Sequence, residues 1–279
     1  MSFSSDIKQE LNKTSNLTNK EIVKYELIGY LISGNIDVEK NNIKFSTESD
    51  YNINRFSKLL TNLNINHNID IIGKIFVINL KRKDIDKVVS IINDNILLDE
   101  NINKQDEEYI KAIIRGLFMG SGSINNPENK YHLSIVLNNE DNLNFIIEIL
   151  KKSDINCKKI RSSGKDSLYI KEGEEISKFL ALIGANKAVM KFEDIRIQKE
   201  MRGKINRLVN CETANLNKTM NASVEQIAAI KKLQKSGKFN KLNDNLKEIA
   251  LLRLENPDMS LVELGKLLKE PIRKIWSKL

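Results

Sequence analysis

The chain has 279 residues, with 45 Lys and Arg against 37 Asp and Glu, giving a net charge of +8. That length accommodates two or three domains with proper cores, and the positive balance suits a polyanionic partner. No apolar run approaches a membrane span, and the opening Met1-Ser2-Phe3-Ser4-Ser5-Asp6 has neither the basic nor the apolar region of a signal peptide. A cytosolic protein is expected.

The first helix of interest begins near Thr18 and closes on Gly29-Tyr30-Leu31-Ile32-Ser33-Gly34-Asn35-Ile36. An alternating run, Ile43-Lys44-Phe45-Ser46-Thr47, reads as a strand. Phe56, Leu59, Leu60 and Leu63 then mark a helix, Ile75–Ile78 a second strand, and Ile85, Val88, Val89 and Ile92 a closing helix. A polar connection follows from Asn93 to Lys104, after which the order repeats. A helix from about Asp106 closes on Gly116-Leu117-Phe118-Met119-Gly120-Ser121-Gly122-Ser123-Ile124. Next come a strand at Tyr131–Val136, a helix with Ile146, Ile149 and Leu150, a strand at Leu168–Ile170, and a helix with Ile176, Phe179, Leu180 and Ile183. Even the helix exits match, as Leu63-Asn64-Ile65-Asn66 and Ser153-Asp154-Ile155-Asn156. Such self-similarity means a duplicated α+β unit, with about four strands expected per half and two clearly visible.

Beyond Ala188 a long polar helix is predicted from Phe192 to Asn210, offering Arg202, Lys204 and Arg207 to a DNA backbone or simply to solvent. Periodicity alone makes Asn206 to Thr219 a helix end and a turn-rich linker. Val224, Ile227, Ala228 and Ile230 mark a further helix, and Leu246, Ile249, Ala250 and Leu254 another, stopped near Pro257. Ser260-Leu261-Val262-Glu263 is a capping box. The helix it opens is expected to bury Leu261, Leu264, Leu267 and Leu268. A short helix, a turn and a second helix is the helix-turn-helix layout, whose second helix enters the major groove. Residues 223–279 hold 12 Lys and Arg against 7 Asp and Glu, so most of the positive excess lies there. Cys157 and Cys211 have no metal-ligand spacing, and His67 and His132 have no partner motif, so no metal or cofactor is expected.

The two Gly-ended helices resemble those of the LAGLIDADG homing endonucleases. The resemblance implies two helices packed along a pseudo-dyad, with an acid at the foot of each to bind a divalent metal. Here those positions are Ser33 and Ser121, so a metal-dependent endonuclease is disfavoured. The string Asn206-Arg207-Leu208-Val209-Asn210-Cys211-Glu212-Thr213-Ala214-Asn215-Leu216-Asn217-Lys218-Thr219 resembles the linker of the WhiA family of bacterial regulators. So do Met1–Ser5, Arg115-Gly116 to Asn126-Pro127-Glu128, and Leu261-Val262-Glu263-Leu264-Gly265. The resemblance implies an α+β fold: a duplicated, catalytically dead LAGLIDADG-like domain (1–101 and 102–190), a connecting helix and linker (191–222), and an all-α helix-turn-helix domain (223–279). It further implies binding to double-stranded DNA and a role in cell division, chromosome segregation and, in spore formers, sporulation. No small-molecule substrate or membrane is implied, and a protein-interaction scaffold is the remaining alternative. The DNA-binding candidates are Ser260, Lys266, Lys269, Arg273, Lys274 and Lys278, with Arg202, Lys204 and Arg207.

At Ile275-Trp276-Ser277-Lys278 the text departs from that family, which continues with Ser-Gly-Val-Asn and a basic helix. One permitted coding of Ile275-Trp276-Ser277-Lys278, ATC TGG AGT AAA, reads Ser-Gly-Val when started one base later. A one-base frameshift near Lys274 is therefore expected, leaving the recognition helix incomplete and the domain truncated. The alternative is a different tail, closed by Ile275 and Trp276.

Overall fold

The computed structural model describes residues 2–13, 17–39, 42–96, 107–162 and 164–267. It divides into two compact units, Met1–Lys199 and Glu200–Leu279. In the first, α1 (Phe3–Asn12) is capped by the Ser2 hydroxyl and buries Phe3, Ile7 and Leu11, four residues apart on one face. The centre is the pair α2 (Lys20–Leu31) and α5 (Glu107–Ser121), which pack side by side. Both are buried over most of their length, from Val23 to Leu31 except Lys24 and from Ala112 to Gly120, and α2 accordingly shows little amphipathic asymmetry.

Close packing of that pair depends on glycine. A methyl group at Gly29 would overlap the Ile113 carbonyl, and one at Gly116 would overlap the Glu26 carbonyl. Only residues without Cβ let the two backbones approach this closely.

Around the pair, each half builds the same four-stranded antiparallel sheet. Strands β1 (Ile36–Glu39), β2 (Asn42–Thr47), β3 (His67–Ile72) and β4 (Ile75–Leu80) pair in the order β1-β2-β4-β3. Strands β5 (Gly122–Ile124), β6 (Leu133–Leu137), β7 (Lys158–Ser162) and β8 (Lys165–Ile170) pair in the order β5-β6-β8-β7. In β2 and β6 buried residues alternate with half-buried ones, and Ile43, Phe45 and Ile135, with Leu168 of β8, enter the core. The expected pseudo-symmetric duplication is thus present, with all four strands in each half.

The helix exits repeat in detail. Helix α3 (Asp50–Asn62) and helix α6 (Glu140–Lys152) end on Asn64 and Asp154, both at φ 56°. In each, the amide two residues past the cap returns to the last turn: Ile65 N to Leu60 O and Ile155 N to Leu150 O, both 2.9 Å. This is a Schellman closure, and Asn and Asp tolerate its left-handed residue better than most. The matched text at the two exits encodes this stop. Helices α4 (Arg82–Ile96) and α7 (Gly173–Leu182) complete the halves.

The halves are stitched by hydrogen bonds onto main-chain carbonyls. Gly34 N donates to Val136 O at 2.8 Å, Asn138 N to Ile32 O at 3.2 Å, and the Asn35 amide side chain to Gly120 O at 2.9 Å. The first helix is tied to the far end of the unit: both Glu10 carboxylate oxygens accept amides at the start of α8 (Asn186–Lys235), from Lys187 at 2.8 Å and Ala188 at 3.1 Å.

Helix α8 corrects the expected turn-rich linker. It runs as one 50-residue helix through Cys211–Thr219, where the abundance of Asn, Thr and Cys lowers propensity without breaking the turn. In the second unit it is followed by a short 3-10 turn at Phe239–Lys241, then α9 (Asp244–Glu255) and α10 (Leu261–Leu267). Ile230, Ile249, Ala250 and Leu264 form the buried apolar set there. Val224, expected inside, is 65% exposed, and Leu267 is 55% exposed, because α10 turns only Leu264 fully inward. Leu268 and the connection 97–106 lie outside the described residues.

Candidate nucleic-acid interface

At the feet of α2 and α5 stand the two positions where the endonuclease pattern requires acids. Ser33 is fully buried and its hydroxyl has no hydrogen-bond partner, while a methyl group at Gly120 would lie 2.5 Å from it. The Ser121 hydroxyl donates to the Val136 carbonyl. The nearest carboxylate in the helix pair, Glu26, is fully buried and fully engaged. Arg55 grips it with hydrogen bonds from Nε and Nη2 at 2.7 and 2.8 Å, and Arg115 with a hydrogen bond from Nε at 3.0 Å and an ion-pair contact from Nη2 at 2.8 Å. Burial alone would push the Glu26 carboxyl up, but the Arg55 hydrogen bond and the Arg115 and Arg55 charges outweigh it and hold the group below its ordinary value. Tyr30, one turn on, spends its hydroxyl on Asn52 at 2.8 Å, and burial raises it well above the phenol range.

These residues do not fit a divalent metal. Two hydroxyls, one committed to a carbonyl, lack the charge that Mg²⁺ requires, and the buried acid is neutralised by two guanidiniums. Among the described residues no three His, Cys, Asp or Glu side chains group as a ligand set. His67 is occupied by the Ser57 hydroxyl (2.7 Å) and the Ile65 carbonyl (3.0 Å), and His132 stacks on Tyr169. Cys157 is half-buried, its thiol pushed up to about 11 by burial and then by Glu175.

The second unit assembles a helix-turn-helix corner. Asn243 caps α9 through Leu246 N at 2.9 Å. At its other end Arg253, a buried cation, turns its Nη1 onto the Asn256, Pro257 and Met259 carbonyls, and the Ser223 hydroxyl of α8 donates to Pro257 O. Burial lowers the Arg253 guanidinium. The turn is thus fixed from inside by polar side chains, which the apolar periodicity of the sequence did not register. An Arg within the apolar run Ile249 to Leu254, just before Asn256-Pro257, was the available signal.

The capping box is present as expected. Glu263 N donates to Ser260 Oγ at 3.3 Å, while the Ser260 amide and hydroxyl donate to Glu263 Oε2 at 2.7 and 2.8 Å. Those two bonds, the amide's first, hold the Glu263 carboxyl below its ordinary value. Ser260→Ala is expected to cost about 1 kcal/mol of local stability, read as faster amide exchange in α10 with exchange in α2 and α5 unchanged.

Ser260 therefore spends its hydroxyl on the cap. Lys266 is exposed in the last turn of α10. Arg202, Lys204 and Arg207 are exposed on α8, with Lys204 paired to Glu200 at 2.9 Å. Lys269, Arg273, Lys274 and Lys278 lie outside the described residues, as does the divergent tail.

Comparison with known proteins agrees with both units. Residues 110–202 match the model of the WhiA LAGLIDADG-like domain, and residues 205–275 match that of the WhiA C-terminal HTH domain. The chain is 39% identical to the "Probable cell division protein WhiA" of Clostridium tetani, over 98% of this chain and 93% of that protein. Full-length DUF199/WhiA from Thermatoga maritima superposes with a TM-score of 0.65 at 29% identity, covering 100% and 95% of the two chains. The isolated N-terminal LAGLIDADG domain of DUF199/WhiA gives 0.54 at 27% identity, over 65% of this chain and 90% of that one.

Proposed function

The chain belongs to the WhiA family, and from that premise we propose that it is a non-catalytic, DNA-binding regulator of cell division. The reading extends to chromosome segregation and, in spore formers, sporulation, and places the protein on the nucleoid in the cytoplasm. No helix among the described residues is long and apolar enough to cross a membrane.

The observation that carries the proposal is the braced corner between α9 and α10. A capped helix held at a fixed angle to its predecessor is the support that sets the recognition helix, expected beyond Pro271, against base edges in the major groove. Lys266, with Lys269, Arg273, Lys274 and Lys278 downstream, supplies phosphate contacts. Arg202, Lys204 and Arg207 extend the same basic character along α8.

Absence of catalysis follows from the chemistry of the motif feet. A hydroxyl at Ser33 and another at Ser121 cannot hold the cation that phosphodiester cleavage needs, and the acid between the helices, Glu26, serves as a structural counter-ion.

Anisotropy titration of double-stranded DNA across a salt series tests the binding. Log affinity should fall linearly with log salt, and Lys266→Ala should reduce the slope by about 1. Salt-independent or absent binding would favour a protein-interaction scaffold. Supercoiled plasmid incubated with the protein and Mg²⁺ or Mn²⁺ should stay intact. Nicking abolished by Ser33→Ala and Ser121→Ala would restore the endonuclease reading.

A further inference from the structure

Between Glu200 and Val224, helix α8 carries an apolar stripe that nothing among the described residues covers. Met201 is 57% exposed, Ile205 57%, Leu208 61%, Val209 51% and Leu216 58%. At about 100° per residue these side chains, with Glu212, fall within an arc of about 100°, the width of a core-facing stripe. The opposite face carries Gly203, Arg207, Asn210, Asn217 and Asn221. A stripe of that width on a soluble helix marks a contact surface.

The spacing selects the occupant. From Met201 the stripe steps by four, three, one, three and four residues to Ile205, Leu208, Val209, Glu212 and Leu216. With Glu212 counted, and with the exposed Met220 and Val224 lying off the arc, it reads the same from either end. A palindromic stripe lets two identical helices pair antiparallel about a dyad with stripe positions opposed along its whole length, since an isologous contact uses the same patch twice. With the dyad between Leu208 and Val209, Met201 meets Leu216, Leu208 meets Val209, and Ile205 meets Glu212 of the second copy.

Charge fits the same register. Glu212 has no basic residue three or four positions away on its own helix, and Arg202 has no acidic one. The antiparallel register sets Arg202 of one copy about one turn from Glu212 of the other, on the flank of the stripe, within reach of a long guanidinium arm. A parallel pairing would instead stack Glu212 against Glu212.

We infer that residues 200–224 of α8 are a self-association surface through which two copies of this chain pair as an antiparallel coiled coil. Each assembly would then carry two helix-turn-helix units, the arrangement suited to paired half-sites on DNA.

Sedimentation equilibrium of the full chain should give a concentration-dependent dimer. Leu208→Asp, at an exposed position where folding is unaffected, should weaken dimerisation at least tenfold without loss of helical circular dichroism. Glu212→Leu should tighten it by removing the one charge in the stripe. A spin label on Asn221→Cys in a Cys211→Ser chain reads orientation, with about 40 Å between labels expected for the antiparallel pair and about 20 Å for a parallel one. A monomer at every concentration, a dimer indifferent to Leu208→Asp, or the short label distance would each overturn the inference. DNA binding by a monomeric chain would leave the functional reading above intact, so the two fail separately.

Discussion

Gly116→Val is expected to destabilise the first unit by about 3 kcal/mol, at the upper end of typical overpacking costs. The added side chain would collide with the Glu26 carbonyl, and a main-chain atom in the middle of a buried helix cannot swing aside. Gly29→Val should behave alike against Ile113. The double variant should cost less than the two together, because the first separation of the helices already makes room for the second. Urea denaturation, followed by a probe in the first unit, measures all three. Gly203→Ala is the control: its methyl would meet nothing closer than Arg207 Nη1 at 3.7 Å, so helix propensity should dominate and α8 should gain about 0.5–1 kcal/mol. Equal losses at Gly203 and Gly116 would refute the close-approach argument.

Glu26→Gln should be comparably severe, at about 3–5 kcal/mol, the cost of breaking a buried charged network by removing one partner. Two guanidiniums would remain inside with an amide that cannot neutralise either. The pH dependence has a definite sign. The folded carboxyl lies below its ordinary value, so its contribution is complete above the unfolded carboxylate range and is lost as pH falls through the depressed folded value. The stability gap between the parent chain and Glu26→Gln should therefore be flat near neutrality and close under acid. Replacing the whole network by Glu26→Leu, Arg55→Met and Arg115→Met should recover most of the loss, since apolar substitutes for buried ion networks are often neutral or better. A gap that widened on acidification would show that the Glu26 proton is bound more tightly in the folded chain, against the geometry.

The duplication was legible because each copy repeats a full cycle of patterns: Gly-ended helix, strand, helix, strand, helix. The strands that escaped notice are at edges or are short. Strand β7 is Lys158-Lys159-Ile160-Arg161-Ser162, with Lys158 to Arg161 all exposed, and β3 leaves Asn68 to Ile72 exposed. Alternation records burial of one face, and these strands bury neither. The Glu26–Arg55–Arg115 network was missed for the opposite reason. Charged residues in helical text are ordinarily solvated, and only Glu26's place among Val23, Leu27 and Tyr30 betrayed its burial. Helix α8 was cut short because Cys211–Thr219 is poor in helix formers. The palindromic apolar spacing that argues for an uninterrupted helix runs through that very stretch. At the motif feet the absence of acids was plain from the sequence, whereas the burial of Ser33 and the commitment of Ser121 to Val136 required coordinates.

The tie between Glu10 and the amides of Lys187 and Ala188 also sets a timetable. During synthesis, α1 emerges first, yet the groups its carboxylate caps are made 177 and 178 residues later. At about 5–20 residues per second that delay is on the order of ten to forty seconds. The stitches from Gly34 to Val136 and from Asn138 to Ile32 impose a shorter wait of the same kind. Contacts so distant in sequence slow folding through the loops they must close. The nascent first half would then spend that interval with the faces of α1 and α2 uncovered, so the ribosome-bound chain should be a better client for a holdase than either finished unit.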